Sequence, residues 1–335
     1  MKLREIGEFG LIARIKNSWP ASSPRVIQGI GDDAAVSSLG PGNDLVSTVD
    51  LLIEDVHFDL SFIEPYPLGR KSLAVNLSDL AAMGATPRWL LISLALPSRL
   101  SVEFTDQFFA GMQALAQPNG VSLIGGDTSS SPDRMFVSIT LLGEGKKEAL
   151  VFRHGAKPGD DLYVTGTLGD SLLGLHLAKN LRGRAASSEE RFLLERHFDP
   201  TPRLQEGQAL AERRLARAMI DVSDGLFSDL YHICEESQVG ALIWADRIPQ
   251  SPAFRSLVPA SPGEEWKWAL RGGEDYELLF AAPPDKAEDL AALAKEWPCG
   301  ITRIGRVEPR SHGLVVRDEK GPVDPSSLKG YDHFA

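Results

Sequence analysis

The sequence predicts a two-domain chain of mixed α/β or α+β class. Three observations carry this. Strand-like and helix-like stretches alternate along nearly all of the 335 residues. A hydrophobic content of 43% at this length is enough for two cores. The texture also changes around 143–160, "GEGKKEALVFRHGAKPGD", which is charged and rich in glycine. That segment is the expected boundary, giving domains at 1–145 and 146–335. The pattern does not set the order of strands.

In the first half, "GEFGLIARI" puts Phe9, Ile12 and Ile15 near helical spacing. "DLVSTVDLL" is rich in β-formers and reads as a strand. Residues 68–84 predict a helix ending at Gly84, with Pro87 soon after. "WLLISLALP" predicts a buried strand, and 101–117 a helix led by Ser101 with Glu103 behind it. "GVSLIGGD" and "MFVSITLLGEG" read as strands flanking a glycine-rich loop. In the second half, "DDLYVTG" predicts a strand and "DSLLGLHLAKNL" a helix with Leu173, Leu177 and Leu181 on one face. "RAASSEER" reads as a polar loop and "RLQEGQALAERRL" as a helix. "AMIDVSDGL" predicts a strand running into a helix whose Leu226, Leu230 and Ile233 align. Strands follow at "GALIWA", "YELLFAA", "CGITRIGRV" and "GLVVRD".

Composition excludes several classes. A net charge of −11 disfavours a nucleic-acid or anionic-membrane surface, since both need a basic patch. It suits a protein whose carboxylates are partly neutralised by bound cations. Cys234 and Cys299 are the only cysteines and form no CxxC, which argues against a disulfide scaffold or zinc site and for a reducing cytoplasm. The N-terminus lacks the apolar core of a signal peptide. The most apolar run, Trp89 to Leu96, is too short to span a bilayer.

Candidate chemistry sits in six places. "GIGDDAAV" sets Asp32 and Asp33 between Gly29, Gly31 and a small apolar run; an ordinary Asx-type turn explains it equally well. As a dinucleotide fingerprint it is weak, with the preceding strand and third glycine wrong. Asp50 lies in an apolar strand, where aspartate is disfavoured, and His57 follows; a hydrogen-bonded histidine is the simpler reading of His57. In "SLAVNLSDLAAMGA" no Lys, Glu or Arg occurs between Lys71 and Arg88, so the helix is expected to be buried nearly all round. Ser72, Asn76 and Asp79 share one stripe of it, and a half-buried Asp79 needs a hydrogen-bond partner or a cation. In "LIGGDTSSS", Gly125 and Gly126 are expected to deliver Asp127 from a strand end into a loop where a phosphate could approach the backbone. No GxxxxGK[ST] occurs, so this is not a P-loop. In "IDVSDGL", Asp221 ends a strand, with Ser223 as the expected cap and Asp224 in the first turn of the next helix. "LRGGEDYELLF" places Glu274 and Asp275 after a double glycine.

Together these aspartates recur at strand ends and glycine turns in both halves, with no Lys or Arg paired locally. If several converge, two charges about 5 Å apart repel by roughly 3 kcal/mol at an effective dielectric near 20. Divalent cations remove that penalty. Oxygen-only donors favour Mg2+ over zinc or copper.

The motifs "GIGDDAAV", "DLLIEDVHF", "KSLAVNLSDLAAMGATP", "LIGGDT", "RHGAKPGDDLYVTGTLGDS", "IDVSDGL", "GGEDYEL" and "KGYDHF" resemble those of the thiamine-monophosphate kinases. These belong to the superfamily that includes aminoimidazole ribonucleotide synthetase. The resemblance runs in collinear order over nearly the whole chain. It implies an α+β chain of that two-domain fold. The N-terminal sheets would pair across a homodimer, and the C-terminal domain would close the cleft. It also implies ATP- and Mg2+-dependent phosphorylation of thiamine monophosphate to thiamine diphosphate, the last step of that biosynthesis. By resemblance, metal contacts fall on Asp33, Thr48, Asp50, Asp79, Asp127, Asp221 and Asp224. Nucleotide contacts fall on Gly126, Asp127, Arg153 and Ser223, and substrate contacts on His57, Glu274 and Tyr331. No general base is implied. Val49 departs from the threonine frequent in the family, so a metal contact there would use its backbone carbonyl. A packed C-terminal aromatic is the simpler reading of Tyr331 without the resemblance.

Relatives of the same fold fit less well. A selenophosphate synthetase needs a reactive cysteine near the N-terminus, and none precedes Cys234. The hydrogenase-maturation relative ends in a cysteine tail, whereas this chain ends "YDHFA". Aminoimidazole ribonucleotide synthetase is the nearest rival, but "DVHF" and "KGYDHF" favour the kinase. A catalytically silent nucleotide-binding module is disfavoured by intact aspartates at every motif.

Overall fold

The computed structural model describes residues 14–15, 17–18, 25–28, 36–37, 42–181, 184–259 and 264–323. The chain divides into two compact units, Met1–Leu80 with Ala85–Glu148, and Ala81–Gly84 with Ala149–Ala335. Of the expected opening helix, residues 14–15 and 17–18 are helical; Phe9 and Ile12 lie outside the described residues.

In the first unit, β1 (Val26–Gln28) pairs antiparallel with β2 (Val36–Ser37). Then come β3 (Asn43–Ile53), α1 (Pro65–Ala82), β4 (Thr86–Pro97), α2 (Val102–Ala116), β5 (Ser122–Ser131) and β6 (Phe136–Lys146). The sheet order is β3-β6-β4-β5, antiparallel except for the β4–β5 pair. One sheet face is apolar where Leu90, Ile92, Leu94, Val137, Ile139 and Leu141 lie, all buried. Helix α1 covers this face, with Leu80 lying against Gly143 of β6. The expectation of an all-round buried α1 holds: Leu73, Leu77 and Leu80 are fully buried, and so are Ser72, Asn76 and Ser78. The predicted cap of α2 also forms, with Ser101 Oγ accepting the Phe104 N–H at 3.1 Å.

The segment "LIGGDTSSS" differs from the expected loop. It stays extended to Ser131, because β5 pairs in parallel with β4 along its whole length, from Ser122 against Trp89 to Ser131 against Pro97. Glycine makes this close pairing feasible. A Cβ on Gly126 would lie 1.9 Å from the Ile92 carbonyl oxygen.

The second unit contains β7 (Asp161–Thr165), α3 (Asp170–Asn180), α4 (Ser188–Phe198), α5 (Leu204–Glu212), β8 (Ala218–Asp221) and α6 (Leu226–Ser237). They are followed by β9 (Gly240–Trp244), α7 (Pro252–Leu257), α8 (Trp266–Arg271), β10 (Leu278–Ala282), α9 (Ala287–Glu296), β11 (Ile301–Glu308), β12 (Leu314–Asp318) and β13 (Gly321–Val323). The sheet order is β13-β12-β9-β11-β7-β10-β8. Only the β12–β9 pair is parallel. Leu162, Val164, Ile220, Leu279 and Ile304 from the strands pack with Leu226, Leu230 and Ile233, the aligned residues of α6.

Two local expectations fail here. Half of "RAASSEER" is helix, because Ser187 and Glu190 form a reciprocal capping box that starts α4. Ser223 does not cap α6, and Asp224 is not in its first turn. The helix begins at Leu226 after Gly225, whose φ of 111° is left-handed backbone that glycine tolerates.

Candidate functional site

The first unit builds one carboxylate cluster. In β3 the side chains alternate between faces, and Thr48, Asp50 and Leu52 share the face of the buried row. Asp50 is in register with Ile139, which is in register with Ile92, and Ile92 with Gly126. From α1, Asp79 reaches the same edge, where Thr48 Oγ1 donates to Asp79 Oδ2 at 2.5 Å. Burial, and then the charge of Asp79, push the Asp50 carboxyl up to about 7. Asn76, one turn before Asp79, is fully buried with its Oδ1 lacking a hydrogen-bond partner. His57 follows in the turn after β3. Its Nδ1 accepts the Ile53 N–H at 3.0 Å, which puts the proton of a neutral ring on Nε2.

Asp127 is not brought to this cluster. It is exposed, in register with Ser93, on the row next to that of Gly126 and Asp50. Neighbouring rows of a sheet face opposite ways. Its Oδ1 accepts the Thr128 N–H at 2.9 Å. Asp33 and Tyr331 lie outside the described residues, as does the rest of "GIGDD".

The second unit brings together two motifs that are 51 residues apart between Ser223 and Glu274. The chain past β8 pairs with the chain before β10. Val222 N–H donates to the Glu277 carbonyl at 2.8 Å, Tyr276 N–H to Val222 at 2.9 Å, and Glu274 N–H to Ser223 at 2.8 Å. Gly273 allows the approach, since a Cβ there would lie 2.5 Å from the Ser223 carbonyl oxygen. Glu274 and Tyr276 take positive φ values of 62° and 51°, so "GEDYE" is a bent, non-regular segment. Glu274 Oε2 lies 3.5 Å from His197 Nδ1, and that nitrogen is 3.0 Å from Ser171 Oγ. Asp221 is buried at the end of β8, and Ser223 and Asp224 are half-buried. Arg153 is exposed, its carbonyl accepting from Ser237 Oγ at 3.2 Å.

Sequence reasoning missed Asp229 and Glu277 here, and it named Asp275 without assigning it a role. Asp229 is 1% exposed, and its Oδ2 accepts the N–H groups of Ser223, Asp224 and Gly225. Burial, then the charges of Asp221 and Asp224, push its carboxyl well up. A signal was available, because Asp229 falls inside the apolar stripe of Leu226, Leu230 and Ile233. Asp275 is wholly buried and accepts from the Gly169 and Ser171 amides at 2.6 and 3.1 Å; burial pushes it up to about 8. Glu277, also wholly buried, meets Arg203 through two 2.6 Å contacts and Arg196 at 2.8 Å. Burial alone would raise Glu277, but these arginines hold it below its ordinary range.

Among the described residues, no three Asp, Glu, His or Cys side chains converge to hold a metal ion by themselves. Asp50 and Asp79 with the Thr48 hydroxyl are a partial, oxygen-only donor set. That fits Mg2+, which keeps several waters and takes one or two carboxylates together with substrate phosphates. Cys234 and Cys299 are free thiols. No helix among the described residues is long and apolar enough to cross a membrane.

Comparison with known proteins adds the lineage. The profile of the AIR synthase related protein N-terminal domain matches residues 31–144, and that of the C-terminal domain matches 157–317. The thiamine-monophosphate kinase of Salmonella typhimurium is 42% identical over 98% of both chains. The crystal structure of thiamine-monophosphate kinase from Stenotrophomonas maltophilia is 38% identical, with a TM-score of 0.81 over 93% of this chain and 96% of that one. A structure of AaThiL complexed with AMPPCP and TMP is 36% identical, with a TM-score of 0.75 over 100% of this chain and 99% of that one. The chain therefore belongs to the AIR synthase related proteins, and within them to the thiamine-monophosphate kinases.

Proposed function

We propose that this chain transfers the γ-phosphoryl group of ATP to thiamine monophosphate, giving thiamine diphosphate. The observation that carries this is the 36% identity, over the entire chain, to a protein held with an ATP analogue and TMP. The carboxylate chemistry agrees with it. The acceptor is itself a phosphate and is ionised near neutral pH, so it needs no general base. It does need relief from charge repulsion and in-line positioning. Bound Mg2+ would supply charge neutralisation to both phosphate groups.

Within this reading, Asp33, Thr48, Asp50, Asp79, Asp127, Asp221 and Asp224 are the metal-contact candidates. Thr48 orients the Asp79 carboxylate by its hydrogen bond, and the packing of α1 on the sheet holds Asp79 at the edge of β3. Gly126, Asp127, Arg153 and Ser223 would address the nucleotide, with the exposed Arg153 free to lend a fixed positive charge to phosphate. His57, Glu274 and Tyr331 would address the substrate, Glu274 by its charge toward the cationic ring. The division of labour between an N-terminal nucleotide domain at 1–145 and a C-terminal domain at 146–335 belongs to the same proposal.

The homodimer is proposed on a feature of β3. Leu45, Val49 and Leu51, on the face opposite Asp50, are 50%, 62% and 50% exposed. A row of large apolar side chains on one sheet face is a surface for a second copy. A cytoplasmic location completes the reading, consistent with two unpaired thiols.

The test is a coupled assay of the purified chain with ATP, Mg2+ and thiamine monophosphate. Thiamine diphosphate is the expected product. Its absence, with nucleotide binding intact, overturns the proposal.

A further inference from the structure

We infer that Asp229 is a positioning residue, whose carboxylate sets the conformation of the Ser223–Gly225 turn and thereby the aim of Asp221 and Asp224. The inference rests on the phosphoryl-transfer reading above.

Asp229 lies in the first turn of α6 and is almost entirely buried. Its Oδ2 collects three successive amides, from Ser223 at 3.1 Å, Asp224 at 3.2 Å and Gly225 at 3.1 Å. Successive amides pointing at one centre form a concavity that ordinarily takes an anion. Here the protein fills the concavity with its own carboxylate. Those three N–H groups are thus committed to Asp229, and the turn presents its side chains to a ligand.

Helix capping alone is an incomplete account. A cap is usually supplied by the residue before the helix, and Ser, Thr, Asn or Asp there would satisfy one amide. In this chain Gly225 holds that position and makes no side-chain cap. An acidic group inside the apolar stripe of α6 also carries a burial cost. The same turn is tied on its other side, through the Val222 and Ser223 carbonyls, to the Tyr276 and Glu274 amides. Asp229 therefore holds one side of a strip whose opposite side carries the substrate candidate Glu274.

The test compares Asp229→Ala, Asp229→Asn and Asp229→Glu in the full chain. The readouts are the Mg2+ dependence of turnover and the binding of Mn2+ with AMPPCP, followed by electron paramagnetic resonance. Asp229→Asn retains an oxygen that accepts the three amides, so its Mg2+ requirement should stay near wild type. Asp229→Ala and Asp229→Glu lose or displace that oxygen, and should weaken Mn2+ binding ~10-fold or more while circular dichroism stays native. A folded Asp229→Ala with wild-type Mn2+ affinity overturns the inference. So does the opposite order, with Glu near wild type and Asn defective, which decides the matter if the alanine variant does not fold. Wild-type chain that binds Mn2+ and AMPPCP but forms no thiamine diphosphate overturns the reaction instead, and the Mn2+ comparison still decides the role of Asp229.

Discussion

Glu277 of the second unit and Asp50 of the first are both carboxylates withdrawn from water, and their surroundings differ in sign. Glu277 meets Arg203 and Arg196 and accepts from Thr165 at 2.8 Å, so burial is more than offset and its pKa falls below the ordinary value. Asp50 meets another carboxylate, Asp79, so burial and repulsion act together and its pKa rises to about 7. In the first arrangement the protein itself supplies the opposite charge. In the proposed function, the second is the arrangement that a bound cation would relieve. Glu277 is thus compensated by neighbouring arginines, whereas Asp50 faces a like charge.

The two groups also give opposite pH slopes. Glu277 contributes stability above pH 4.5 that is lost on acidification, because the unfolded chain then binds the proton more readily. Asp50 does the reverse. Folded protein holds its proton between pH 3.8 and about 7 while the unfolded chain releases it, so stability falls as pH rises through that window.

The largest expected effect tests the complete network. Glu277→Ala removes the carboxylate shared by the largely shielded Arg203 and Arg196, leaving Arg196 only the more distant Asp170, and should cost ~3–5 kcal/mol in chemical denaturation. A loss under 1 kcal/mol would remove the contrast. Next comes Asp79→Asn, expected to lower kcat ~100-fold or more, corresponding to ~3 kcal/mol, with little change in folding. Retained turnover would reduce Asp79 to a buried hydrogen-bond partner of Thr48. Asp50→Asn is expected to stabilise the metal-free protein at pH 8 and flatten its pH–stability profile. A carboxyl moved from 3.8 to about 7 carries ~4 kcal/mol, reduced to ~2 kcal/mol by partial exposure. A variant whose melting temperature keeps the wild-type pH dependence between pH 4 and 8 would show that neither burial nor Asp79 raises Asp50. The smallest effect is that of Thr48→Val, which removes the donor to Asp79 at a cost of ~1 kcal/mol. Thr48→Ser should restore it, and a serine variant as impaired as the valine would assign the effect to packing.

Much of this was legible in the chain. Absence of long charged side chains between Lys71 and Arg88 foretold a helix buried on all sides, and an aspartate in the apolar strand "STVDLL" marked Asp50 as unusual. Lys71, however, is itself 1% exposed, against its ordinary preference for water. Local propensity also misread "LIGGDTSSS". Small polar residues favour turns in isolation, yet parallel pairing with β4 keeps them extended and leaves Asp127 on the row beside that of Asp50. "RAASSEER" misled in the same way, since a capping box overrides its polar composition.

The sequence by itself determined the class of the fold, most element positions and the lineage, because these follow from periodicity and from motifs in fixed order. Only the tertiary structure decided which carboxylates meet which partners. Glu277 is indistinguishable from Glu274 by composition, yet one is closed between arginines while the other stands beside His197. The reason is physical: the charge state and role of a buried acid depend on groups a few ångströms away in space, and those groups come from distant parts of the chain.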